Sequence, residues 1–204
     1  LFTKYKVLNV LDLGCGVGRN CIPIAEQFKS ISCQIDCVDI LKIAIEKLYK
    51  YADEYDVSHC INGIVKPIEE FSILNNGYDL ILAVSALEHI DTEESFQKKL
   101  VEIRDGLRDK GVVCLVMNSE VREMNADTGE VVDAQFEVNL PTETMQQYLK
   151  EVFEGWSVLK TTVRAKEYDI ALVVCDPMCL ERNLNLVIQT LEVTKNTVVC
   201  INLL

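Results

Sequence analysis

Residues 7–13, VLNVLDL, form a short apolar run that breaks at once into Gly14-Cys15-Gly16-Val17-Gly18. This composition reads as a buried strand feeding a glycine-rich turn. Glycine lets the backbone bend through left-handed conformations and lets a ligand lie against it. A strand that ends in such a loop is the usual opening of an α/β sheet.

The rest of the chain follows that lead. RNCIPIAEQFK (19–29) reads as a helix with Pro23 in its first turn, where a missing N–H is tolerated. ISCQIDCVDI (31–40) alternates like a strand and ends on Asp39, and residues 41–55 carry apolar side chains at helical spacing. A third strand is expected at 58–65 and a fourth, YDLILAV, at 78–84. A helix at 92–109, capped by Asp91 or Thr92 and stopped by Lys110-Gly111, leads into a fifth strand at 111–118. Residues 119–140 read as an acid-rich hairpin around Asp127-Thr128-Gly129, followed by a helix at 142–153 and a strand at 156–165. Near-continuous apolar strands alternating with helices predict an α/β, mostly parallel, doubly wound sheet covered on both faces. Ligands bind such sheets beyond the carboxyl ends of the strands, where the winding reverses.

Composition removes several alternatives. A chain of 204 residues, 49% of them apolar, suffices for one domain with a sizeable core. Its net charge of −12 argues against broad binding to nucleic acid or to an anionic membrane. Nine cysteines, most inside apolar runs, are expected to be reduced thiols in a cytoplasmic protein. No CxxC pair or histidine cluster supports a metal site. No signal peptide is visible, and no apolar run reaches the roughly 18 residues of a membrane span. A start at Leu1 and an apolar end suggest truncation at both termini. The oligomeric state is left open.

The loop itself narrows the ligand. It lacks the Gly-x4-Gly-Lys-Ser/Thr of a phosphate loop. Arg19 occupies the third glycine position of the dinucleotide fingerprint and would obstruct the close helix packing there. Asp12, two residues before Gly14, would repel a pyrophosphate and suits a ligand carrying an ammonium group. Asp39, at the end of the second strand, is placed to accept hydrogen bonds from ribose hydroxyls. A ribose, a cationic centre and no phosphate together describe S-adenosylmethionine.

VLDLGCGVGRN, the acid of CVDI, YDLILAVSALEHI and the Lys110-Gly111 turn resemble class I S-adenosylmethionine-dependent methyltransferases, in order over residues 7–165. The GRN ending resembles the tellurite-resistance-type and small-molecule branch. The resemblance implies a Rossmann-like methyltransferase fold, a small-molecule methyl acceptor, and no nucleic acid or membrane partner. It also implies a cofactor site of Asp12, Gly14, Cys15, Gly16, Gly18, Arg19, Asp39, Ile40, Pro67, Ile68, Val84, Ser85 and Leu87. Within it, Gly14–Gly18 would face the methionine part, and Ser85–His89 would flank the sulfonium and the acceptor. Glu88 and His89 are expected to line the pocket, with direct proton transfer as the alternative, catalytic role. One position departs from the family: Pro67 stands where an acid normally meets the adenine amino group. Adenine binding would then rest on backbone and on apolar packing by residues such as Ile68. A non-catalytic binding module is the second hypothesis.

Residues 169–204 break the pattern. They resemble part of the GTP-binding domain of bacterial ferrous-iron transporters, without the phosphate loop, as if fused or misassembled behind a methyltransferase unit at 1–168. The tail is expected to pack on the same domain. One of its apolar runs, 170–175 or 197–204, should pair beside the fifth or sixth strand and cover that edge. A helix at 178–192 should lay Leu180, Leu184, Val187, Ile188 and Leu191 on a sheet face.

Overall fold

The structure is a computed structural model that describes residues 7–124, 128–132, 136–162, 170–175 and 199–201. Five parallel strands form its centre: β1 (Val7–Leu13), β2 (Ser32–Asp39), β3 (Ile61–Val65), β4 (Tyr78–Val84) and β5 (Leu107–Met117). Their order is β5-β4-β1-β2-β3, so the chain winds outward from β1 in both directions. Helices α1 (Cys21–Phe28) and α2 (Lys42–Glu54) join β1 to β2 and β2 to β3, and α3 (Glu93–Gly106) joins β4 to β5. The reversal therefore falls between β1 and β4, where a crevice opens beyond the strand ends.

Burial explains why these segments are strands. Val10, Leu11 and Leu13 of β1, Ile81, Leu82 and Ala83 of β4 and Val113 and Leu115 of β5 have no exposure at all. Strands covered on both faces need such unbroken apolar sequence. The exception is Asp12, also fully buried, which lies in register with Cys37 of β2 and Leu82 of β4.

Two boundaries differ from the sequence reading. The helix expected at 92–109 ends at Gly106, and β5 already begins at Leu107, which pairs with Tyr78. The last carbonyls of the helix, Asp105 O and Gly106 O, accept from Asn76 and Gly77 N–H, both at 2.9 Å, and glycine at 106 makes room for Ile73, whose Cγ2 would stand 2.4 Å from a Cβ there. The strand then irregularly shifts register, with Lys110 at φ 66°, before Val112 pairs with Leu80. At the third strand, residues 58–60 form a 3-10 turn, and pairing starts only at Ile61.

Beyond β5 lie β6 (Glu123–Met124) and β7 (Val131–Val132), antiparallel partners that match the expected hairpin. Helix α4 (Thr142–Val152) and strand β8 (Val158–Thr162) follow. In the tail, β9 (Ile170–Cys175) runs antiparallel to β5 from Met117↔Ile170 to Val113↔Val174, with β8 on its other side. The short β10 (Val199–Ile201) adds to the same edge. The pairing expected of the run at 170–175 is therefore present, while the helix at 178–192 lies outside the described residues. No helix among the described residues is long and apolar enough to cross a membrane, and no group of three or more metal-ligating side chains gathers there.

Cys15, Cys21, Cys33, Cys37, Cys60 and Cys114 are free and buried. Burial pushes the Cys33 thiol up to about 12 and raises that of Cys114. Contacts with the Cys15 and Cys21 thiols, then burial, likewise hold the Cys37 thiol protonated. Protonated, inaccessible thiols are poor nucleophiles. Alkylation of the native protein followed by mass spectrometry should leave these six unmodified, and all six should react in denaturant. Rapid native labelling at Cys37 or Cys114 would contradict the packing described.

Candidate functional site: a cleft at the switch point of the sheet

The glycine loop is fastened to the end of β2. Gly14, Gly16 and Gly18 adopt φ of 70°, 54° and 99°, conformations that side chains strain. The N–H groups of Gly14 and Cys15 both donate to Val38 O, at 2.8 and 3.0 Å. Gly16 N–H donates to Asp39 Oδ2 at 2.8 Å, and Leu41 N–H to Asp39 Oδ1 at 2.9 Å. On the other side, a Cβ at Gly14 would stand 2.3 Å from Ala86 Cβ, so the loop rests directly on the segment after β4.

A cleft of about 250 Å³ opens over these contacts. Of the residues singled out from the sequence, Gly14, Asp39, Ile40, Pro67, Ile68, Ser85 and His89 line it. Ala86, within the Ser85–His89 segment, lines it too, and sequence reasoning missed two more, Leu41 and Glu69. The smallness of Ala86 only acquires meaning once Gly14 is seen against it. Leu41 extends an exposed apolar rim with Ile40, the two being 58% and 62% exposed. Glu69 brings a carboxylate to the wall where Pro67 offers none.

Other expected residues are placed differently. Gly16 contributes its N–H to the Asp39 clamp, and Val84 ends β4. Cys15 and Leu87 are buried. Gly18 and Arg19 line a separate groove between α1 and α2.

Asp12 lies beneath the loop. Both its carboxylate oxygens are buried without a hydrogen-bond partner. Burial raises its pKa to about 7, Asp39 adds repulsion, and the nearby Cys21 and Asn20 polar groups only partly offset this. The carboxylate anticipated in contact with a ligand is thus one layer below the cleft wall. An unpartnered buried carboxylate costs stability and suits a cationic neighbour or bridging water.

Glu88, 1% exposed, ties two strand ends together. Its Oε1 accepts from Asn118 Nδ2 at 2.6 Å and Asn118 N–H at 3.3 Å, while Oε2 has no partner, and burial raises its pKa. His89 is exposed, stacks on Phe136 at a centroid distance of 5.0 Å and lies with Nδ1 3.3 Å from Glu137 Oε2. Val138 N–H donates to Glu88 O at 3.0 Å, so residues 136–138 strap the turn that carries Glu88 and His89. Asn118 and Phe136 carry no signal in the sequence, because both act through partners brought near only by folding.

The residues present fit S-adenosylmethionine. Asp39 keeps lone pairs beyond the two it uses, Gly14 lets the loop sit directly against Ala86 at the cleft, and Asp12 holds below the loop an unpartnered carboxyl that a nearby cation would ionise. Comparison with known proteins agrees: the family profile described as "Methyltransferase domain" matches residues 10–111, half of the chain. The chain belongs to that family. It is 33% identical over 101 residues to a ubiquinone biosynthesis O-methyltransferase of Rickettsia canadensis (strain McKiel), a match covering 50% of this chain and 40% of that protein. It is 27% identical over 109 residues to the tRNA N(3)-cytidine methyltransferase METTL2 of Mus musculus, covering 52% of this chain and 28% of that one. The chain therefore spans less than half the length of these two relatives. Among solved structures, an S-adenosylmethionine-dependent methyltransferase from Clostridium acetobutylicum ATCC 824 superposes with a TM-score of 0.60 at 16% identity, covering 84% of each chain. The fold of this methyltransferase domain is the Rossmann-like one.

Two outcomes test this geometry. Gly14→Ala should destabilise the methyltransferase domain by about 2–4 kcal/mol, through the clash with Ala86 and the left-handed backbone. Adding Ala86→Gly should recover part of that loss in a denaturant melt; no recovery would separate the two residues. For Asp12, the folded pKa lies above the unfolded one, so the native state binds the extra proton between about pH 4 and pH 7. Stability should fall as pH rises through that window. Asp12→Asn should raise stability above pH 7 by on the order of 1–4 kcal/mol, and the gain should vanish towards pH 4.

Proposed function

We propose that this chain is an S-adenosylmethionine-dependent methyltransferase acting on a small molecule, in the cytoplasm. The observation that carries the proposal is the cleft at the switch point, with the Asp39 clamp at its wall and the unpartnered Asp12 beneath its floor. When bound, the cofactor would supply an electrophilic methyl group on a sulfonium centre. Asp39 would hold the ribose hydroxyls, Ile40, Leu41 and Ile68 the apolar face of the adenine, and Glu69 its amino group in place of the acid missing at Pro67. Asp12 would balance the ammonium charge. Ser85 and His89 would border the acceptor, under the strap at 136–138. Transfer to a positioned nucleophile depends mainly on alignment and on exclusion of water. That division of labour suits Glu88, which the structure uses to tie strand ends rather than to meet solvent.

The net charge of −12 and Glu137 beside His89 favour a neutral or cationic acceptor over a polyanion or an oxyanion such as tellurite. The buried free thiols support a reducing compartment. The second reading, a binding module without turnover, is favoured by the loss of the adenine acid at Pro67. In either reading we keep residues 169–204 as a graft behind the methyltransferase unit at 1–168.

Calorimetry with S-adenosylhomocysteine should show saturable binding, weakened by about 1.5–3 kcal/mol in Asp39→Ala and by about 1 kcal/mol in Glu69→Ala. No heat at millimolar ligand would sink the proposal. Binding without S-adenosylhomocysteine formation from S-adenosylmethionine, across a panel of thiols, amines and phenols, would favour the non-catalytic module.

A further inference from the structure

A second cavity lies outside the cleft and shares no residue with it. It is a groove of about 360 Å³ between α1 and α2, wider than the cleft. Its floor is apolar, from Ile22 and Pro23, and two tyrosines one helical turn apart, Tyr51 and Tyr55, stand along its α2 wall, 36% and 50% exposed. Three charged residues line it: Glu26 on α1, Glu54 on α2, and Arg19 ahead of α1. Among the described residues, none of these five polar side chains has a hydrogen bond or ion pair.

The charges are also separated in space. Arg19 precedes the first turn of α1, and Glu26 lies on its second turn, roughly 10 Å further along the chain at 1.5 Å per residue over seven residues. A simple anion in this groove would face two carboxylates. A simple cation would suit the carboxylates and the tyrosine rings but would face the guanidinium. A neutral apolar molecule would leave all three charges unused. A molecule carrying both charges, several ångströms apart, matches the whole set. Aromatic rings beside carboxylates recognise alkylated ammonium groups by cation–π and Coulomb attraction, and a guanidinium binds an acid group through paired N–H donors.

We propose that the α1–α2 groove binds a small zwitterion, with an alkylated ammonium against Tyr51 and Tyr55 between Glu26 and Glu54, and an acid group on Arg19. This site goes beyond methyl transfer and does not depend on it. Gly18 forms part of the same wall, so an occupied groove borders the outer side of the glycine loop.

Titration of the full chain with 4-(trimethylammonio)butanoate tests the proposal, alongside tetramethylammonium and butanoate, which each carry half of the charge pattern. Saturable binding is expected for the zwitterion, with either half binding about tenfold more weakly. Tyr55→Ala and Glu54→Gln should each weaken the zwitterion about fivefold or more, while S-adenosylhomocysteine binding stays as in the parent, so the two sites are read separately. Absence of saturable binding, equal binding of tetramethylammonium, or undiminished binding in both variants would overturn the site.

Discussion

One carboxylate holds the functional end of this molecule together. Asp39 accepts from Gly16 N–H with one oxygen and from Leu41 N–H with the other, and the adjacent Val38 O takes Gly14 N–H and Cys15 N–H. Three of these hydrogen bonds bind a loop with three left-handed glycines to the end of the neighbouring strand, and the fourth, from Leu41, fixes the Asp39 carboxylate within its own turn. Without them the loop would have little to define its shape, since glycine restricts its own backbone least. The parallel register that sets Asp12 beside Cys37 brings the two strand ends level, and Gly14 then seats on Ala86 from the third strand end. The cleft is the space those three ends leave.

The core around that cleft contains groups that a structure selected for stability alone would not keep. Lys99 shows how burial of a charge is normally made tolerable: at 2% exposure, its ammonium donates to Phe71 O and pairs with Glu102, both at 2.6 Å. Asp12 has no such partner, and Glu88 has one for only half of its carboxylate. Both stand beside the cleft. An orphaned buried acid lowers the stability of the empty protein and is relieved by a cation nearby. Strain of this kind is expected where a site is shaped for a ligand.

Much of the fold was legible because its signals are local. An apolar run entering Gly14-Cys15-Gly16 fixes β1 and the loop, and the alternation of apolar strands with amphipathic helices fixes the layering. Asp39 was legible too, as a polar residue ending an apolar strand, though its hold on Gly16 and Leu41 was not. What escaped depends on contacts distant in sequence. The helix ends at Gly106, where the distant Asn76 and Gly77 N–H groups take its last carbonyls. Asp12 is fully buried and does not line the cleft. Arg19, next to the loop in sequence, turns into a different groove. Glu88, placed by the resemblance in the segment after β4, gives one carboxylate oxygen to Asn118, 30 residues on, a partner that the sequence does not reveal.

The claim that the buried Asp12 carboxyl answers to a cationic ligand over the loop is open to direct measurement. A carbon-detected NMR titration of that carboxyl, with and without S-adenosylhomocysteine, reads its ionisation alone. The account predicts a midpoint near 7 in the free protein, falling by about one unit or more when the ligand's ammonium is bound. A midpoint in the ordinary carboxylate range, or one that does not move on saturation, would contradict it.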